Sequence, residues 1–98
     1  MIIKEILAEL ETKDHPVAKA LFKKEGFKVL VLALKKDMVL KEHKANVPTK
    51  LIVLEGQIIY NSDATAITLN KYDEFDIPVN ELHSVTADDD ALCMLIQG

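Results

Sequence analysis

Residues 40–56 read Leu40-Lys41-Glu42-His43-Lys44-Ala45-Asn46-Val47-Pro48-Thr49-Lys50-Leu51-Ile52-Val53-Leu54-Glu55-Gly56, and residues 69–85 read Leu69-Asn70-Lys71-Tyr72-Asp73-Glu74-Phe75-Asp76-Ile77-Pro78-Val79-Asn80-Glu81-Leu82-His83-Ser84-Val85. In the first stretch Thr49, Leu51 and Val53 fall on one side of a strand, and in the second Phe75 and Ile77 share a side of another, because side chains alternate across a strand with period two. Gly56 closes the first strand. Asn70-Lys71 opens a turn before the second, and Pro78 with Asn80 ends it.

The same alternation continues in both directions. Ala18–Phe22 and Phe27–Leu34 flank Lys23-Lys24-Glu25-Gly26, where glycine supplies the positive φ of a tight hairpin. Met38–Lys41, Lys50–Glu55, Gln57–Asn61, Thr65–Leu69, Glu74–Ile77, His83–Thr86 and Ala91–Ile96 follow as short segments between turn residues. Only the start differs: Ile2, Ile3, Ile6, Leu7 and Leu10 recur at helical spacing, with Lys4, Glu5, Glu9 and Glu11 opposite, which predicts a short amphipathic helix over about residues 2–12. His15-Pro16 then forces extended backbone, and His15 reads as an exposed linker residue. About nine short strands after one helix predict an all-β sandwich or barrel over about residues 17–97.

Composition bounds the rest. The 98 residues suit a single domain, 1–98, whose folding buries roughly 65% of the unfolded chain's surface and needs no disulfide. Cys93 has no second cysteine to pair with, and it sits in the apolar stretch Ala91–Ile96, so it is expected as a buried, inert thiol. The longest uninterrupted apolar run, Val29–Leu34, is far short of a membrane span, and the charged residues among Met1–Thr12 leave no signal-peptide core. The expectation is a cytoplasmic protein with no membrane partner. All twelve basic residues are lysines, so the bidentate fork that arginine offers to phosphate is missing, and no nucleic-acid partner is expected. Charge is divided unevenly, with eleven lysines and seven acids in residues 1–50 but one lysine and nine acids in residues 51–98. Asp88-Asp89-Asp90 reads as a solvated turn, and Glu55 and Lys41 as solvated strand ends.

Together the two quoted stretches resemble the paired motifs of the cupins, small jelly-roll barrels whose motif strands face the interior. His43 matches the first histidine of the family's first motif, Val53-Leu54-Glu55-Gly56 its closing strand and turn, Asp73 and Ile77-Pro78 the start of the second motif, and His83 its histidine. The resemblance covers about residues 27–96 and implies a cupin-like double-stranded β-helix. It also implies a four-ligand metal site, and here the chain departs from the pattern. Ala45 stands in place of the second histidine and Thr49 in place of the glutamate, leaving His43 and His83 as the only two metal-ligand positions retained. A methyl group and a hydroxyl are poor substitutes for imidazole and carboxylate. Asn80 replaces a family glycine and tolerates left-handed φ, whereas Tyr72 replaces another and predicts a turn of negative φ beginning at Asn70.

These residues frame three functional expectations. The first is a metal-poor barrel that takes a small organic ligand, with His43, His83 and Thr49 as the polar groups that orient it in a mostly aliphatic pocket and no cofactor required. The second is a metal-dependent enzyme of dioxygenase or isomerase type, in which His43 and His83 hold a divalent ion. The third is a structural or protein-interaction module in which both imidazoles only satisfy backbone oxygens. No serine elbow, second cysteine or inward carboxylate pair supplies another catalytic set. The resemblance further implies a homodimer, which would cover the amphipathic helix and the exposed strand edges.

Overall fold

The nine-residue helix α1, Ile2–Leu10, forms because Ile6 and Leu10 lie one turn apart on a single face and find a sheet to cover. It ends two residues earlier than its periodicity suggests, in a turn closed by the Thr12 and Lys13 amides on the Glu9 and Leu10 carbonyls. In a computed structural model that describes residues 1–63 and 65–98, nine strands follow: β1 Val17–Lys24, β2 Phe27–Leu34, β3 Val39–His43, β4 Thr49–Glu55, β5 Gln57–Ser62, β6 Thr65–Asn70, β7 Glu74–Ile77, β8 His83–Ala87 and β9 Ala91–Gln97.

All pairings are antiparallel, and they build two sheets, a five-stranded one in the order β1-β2-β9-β4-β7 and a four-stranded one in the order β3-β8-β5-β6. The chain passes repeatedly from one sheet to the other, and this produces the expected jelly roll. Between the sheets lies one core, formed by Leu32, Leu34, Leu51, Val53, Ile58, Tyr60, Val85 and Cys93 among others. A smaller cluster of Ile6, Leu10, Val17, Val31 and Ala33 holds α1 against the outer face of β1 and β2. Cys93 is fully buried, and that burial pushes its thiol up to about 12, so it is not a reactive thiolate at neutral pH.

The β1–β2 hairpin closes as expected, with Lys24 opposite Phe27 and Gly26 at φ +74°. Asn80 adopts the anticipated left-handed conformation at φ 64°. Tyr72 does not follow the expectation of negative φ: its φ is 75°. The reason lies in the turn's hydrogen bonds. The Asp73 amide donates to the Asn70 carbonyl, the Asn70 amide donates to the Asp73 carboxylate, and the Tyr72 amide reaches the Val53 carbonyl of β4 at 2.7 Å. Those three bonds demand a left-handed third residue, as in a type II turn, and the Tyr72 ring escapes crowding by standing in solvent beside the Lys71 ammonium.

Candidate functional site

Register places the site. On the four-stranded sheet His43 of β3 lies opposite His83 of β8, and His83 lies opposite Ser62 of β5. Residues directly opposite in antiparallel strands point to the same side, so this row faces the barrel interior. Across the gap, Thr49 of β4 lies between Gln97 of β9 and Ile77 of β7 on the five-stranded sheet. His43, His83, Thr49, Gln97 and Ile77 line one cavity of about 80 Å³, together with the aliphatic side chains of Leu32, Leu40, Leu51, Val85 and Leu95 and with Lys44 and Ala45 at the edge. All three residues chosen from sequence therefore meet in one hollow. Ile77 shares the inward face with Thr49, as Phe75 does with Leu51, because each pair is in register.

The two imidazoles lie 4.3 Å apart, centre to centre, in an edge-on arrangement. His43 Nδ1 donates to the Lys41 carbonyl at 2.8 Å, and His83 Nδ1 donates to the Glu81 carbonyl at 2.9 Å, each two residues back along the chain. With the proton of each neutral ring fixed on Nδ1, the Nε2 atoms carry lone pairs, and no hydrogen bond among the described residues engages either. His83 is 2% exposed while His43 reaches solvent, so one ring belongs to the wall and the other to the mouth.

Tyr60 completes the wall. Its ring stacks on His83 with centroids 5.1 Å apart, and its hydroxyl donates to Glu81 Oε1 at 2.7 Å, fastening the loop whose carbonyl holds His83. Burial first, then the Glu81 carboxylate, raises the Tyr60 pKa, so the phenol stays a neutral donor. Sequence reading missed Tyr60, whose signal was its shared parity with Ile58 on β5. It also missed Gln97, whose Nε2 donates to Thr49 Oγ1 at 3.2 Å, and Ser62, whose buried Oγ has no partner among the described residues.

Burial pushes His83 below the ordinary histidine value of 6.5; the Glu81 carbonyl opposes that shift, and the facing His43 adds to it. The unfolded chain therefore binds this proton at a pH where the folded chain does not. Stability from this group is complete above about pH 6.5 and falls as pH drops below it, with a slope of at most about 1.4 kcal/mol per pH unit. Denaturant midpoints measured between about pH 7.5 and 5 should fall accordingly in the wild type, and His83→Gln should flatten the profile. A wild-type profile that is flat or rises on acidification contradicts a neutral buried His83.

No sequence profile of a protein family matches the chain, and no curated protein sequence matches it, but the backbone has many solved counterparts. A cupin superfamily protein from Desulfitobacterium hafniense superposes with a TM-score of 0.80 at 15% identity, over 87% of this chain and 78% of its own. The fold is that of the cupins. An RmlC-like cupin protein from Desulfovibrio desulfuricans gives 0.78 at 22% identity, over 86% and 82% of the two chains. A cupin-like protein from Thermotoga maritima gives 0.76 at 24% identity, over 84% and 67%.

Many cupin barrels hold a metal ion, and the residues of this one fit a resident ion poorly. The two Nε2 atoms are half of a typical donor set. Ala45 lines the cavity with a methyl group, and Thr49 Oγ1 is already committed, donating to the Val47 carbonyl and accepting from Gln97. Among the described residues no group of three or more His, Cys, Asp or Glu side chains comes together in ligand geometry. His15 lies outside the barrel, exposed in the link between α1 and β1 as expected, with its Nδ1 bonded to the Pro16 carbonyl. It lines an open groove of about 420 Å³ with Pro16, Val39, Lys41 and Glu42, and that groove shares Leu40 and His43 with the interior cavity.

No helix is long and apolar enough to cross a membrane among the described residues.

Proposed function

We propose that this cupin binds a small organic molecule by a protic end group, a hydroxyl or an amide, which enters the barrel and donates to the paired imidazoles. The observation that carries this reading is the pair of Nε2 lone pairs left by two Nδ1–H···O=C bonds in a hollow with aliphatic walls. Two adjacent acceptors call for a donor, and no hydrogen bond among the described residues provides one. Size sets the ligand's pose. About 80 Å³ is well below the roughly 300–1,000 Å³ of sites that enclose a whole small molecule, so only a tip of a few atoms fits inside. The body of the ligand then lies in the outer groove beyond Leu40 and His43.

The test follows the ring nitrogens by ¹⁵N NMR while small alcohols, amides and hydroxy acids are added, with Zn²⁺ and Ni²⁺ as separate arms. The expected result is a shift of both Nε2 resonances with a protic compound, and an affinity about tenfold or more lower in His83→Phe, which keeps the stacked ring but removes its nitrogens. Stoichiometric metal in the purified protein would replace this reading with a metal enzyme. If no compound moves either ring, and His43→Ala and His83→Ala change stability alone, the imidazoles are structural.

A further inference from the structure

The row of side chains that lines the cavity continues past its edge. Thr49 of β4 lies opposite Gln97 of β9, Gln97 opposite Lys28 of β2, and Lys28 opposite Lys23 of β1, so all four project from the same side of the sheet. The row runs from the hydroxyl in the hollow to two lysines at the sheet's outer strands. With strands about 4.8 Å apart, Lys28 is rooted about 10 Å from Thr49 and Lys23 about 14 Å.

Like charges directly opposite one another destabilise a strand pair, and Lys24 adds a third ammonium beside Lys23. Among the described residues no carboxylate, that of Glu25 in the intervening turn included, lies within ion-pair distance of these three lysines. Lys19, Lys35, Lys50 and Lys71, by contrast, each have an acidic partner. The hairpin therefore carries a repulsion that an anion would relieve.

The same lysines line a pocket of about 240 Å³ whose apolar side is Phe27 and Val47, with Gln97 at its inner end. A cavity of about 150 Å³ in a protein core is enough to admit benzene, so one ring with one substituent fits here. The Lys24 ammonium stands 5.9 Å from the centre of the Phe27 ring, which holds positive charge beside that apolar side. Gly98 forms part of the wall, and a Cβ there would come within 2.8 Å of Phe27 Cδ1, so the missing side chain leaves the edge of the ring uncovered.

Charge and lining together select the chemistry. A small hydrated anion would neutralise the lysines but leave Phe27 and Val47 in water, and a neutral ring would cover them but leave the repulsion. Lysines present point charges without the planar fork that suits phosphate. We infer that this hairpin pocket binds an aromatic carboxylate, with its ring on Phe27 and Val47 and its charge between Lys23 and Lys28. Gln97 separates this second site from the hollow of the imidazoles, and the inference does not depend on what those imidazoles bind.

Amide NMR of the ¹⁵N-labelled full chain at low salt, with benzoate, benzyl alcohol and acetate added separately, tests it. Benzoate should shift the amides of Gly26, Lys28, Val47 and Gly98 with a dissociation constant on the order of 1 mM, as suits a ligand of this size, and leave the His43 and His83 ring nitrogens unmoved. Benzyl alcohol, a ring without the charge, and acetate, a charge without the ring, should each bind about tenfold or more weakly. Lys23→Gln and Lys28→Gln, shown to fold by circular dichroism, should each weaken benzoate several-fold and reduce its salt dependence, whereas Lys13→Gln in the link before β1 should not. Without ligand, Lys28→Gln should unfold at the same urea concentration as the wild type or a higher one, because it removes a repulsion. The inference is overturned if no saturable shift appears up to about 20 mM benzoate, or if acetate or benzyl alcohol matches benzoate. It is equally overturned if the lysine variants bind benzoate like the wild type, or if Lys28→Gln lowers the urea midpoint. Shifts confined to the two imidazole rings would also overturn it, by placing the anion in the hollow instead.

Discussion

Replacing Gly56 by alanine should destabilise the protein by about 2–5 kcal/mol, enough to lower its melting temperature by about 10–30 °C. Two separate costs combine at this position. Gly56 sits at φ +81°, a conformation that costs an L-residue about 1–2 kcal/mol. A Cβ built there would also run into the Asp90 carbonyl oxygen and come within 2.9 Å of the Ala91 Cα, both backbone atoms that no side-chain rotation can clear. The turn between β4 and β5 can only yield by moving the start of β9, whose inward face carries the core. Gly26 provides the control, since it has nearly the same φ, +74°, but nothing lies within 4 Å of its hypothetical Cβ. Gly26→Ala should therefore show the conformational cost alone, about 1 kcal/mol. Urea denaturation of the two variants separates the terms, and a Gly56→Ala protein no less stable than Gly26→Ala would show that close packing against β9 is absent.

How far the sequence led depends on whether a feature was written in one residue type or in an arrangement of several. The strands were legible because alternation is local, and the turn at Asn80 was legible because asparagine tolerates left-handed backbone. Tyr72 misled for the same reason: residue type predicts φ only where no other force decides it, and here three hydrogen bonds from Val53, Asn70 and Asp73 decide it. The meeting of His43 and His83 was inferred from spacing, and their register as opposite residues on β3 and β8 supplies the cause. What spacing does not carry is the tautomer of each ring, the 80 Å³ that limits what can enter, and the neighbours Tyr60, Gln97 and Ser62. Those depend on which strands face one another across the barrel.

Tyr60→Ala should cost about 3–5 kcal/mol, the usual penalty for deleting a large buried aromatic ring, because Tyr60 is fully buried and touches Phe75 as well as His83. Tyr60→Phe should cost about 1–2 kcal/mol, since it keeps the ring and removes only the hydroxyl bonded to the partly exposed Glu81 carboxylate. The interval between the two measures packing, and the second value measures the tether. Their effects on His83 should differ in kind. With phenylalanine the stacked ring still confines the imidazole, but the loop around Glu81 loses its anchor, so the Nδ1 bond to the Glu81 carbonyl should weaken. Part of the tautomer population then moves its proton to Nε2, visible as a change in the ¹⁵N shifts of the His83 ring. With alanine a hole opens directly beside the existing cavity, water gains access to His83, and its pKa should rise back toward 6.5 as the burial that depresses it is relieved. An unaltered His83 titration in Tyr60→Ala would mean that the aliphatic wall, and not Tyr60, keeps this imidazole neutral.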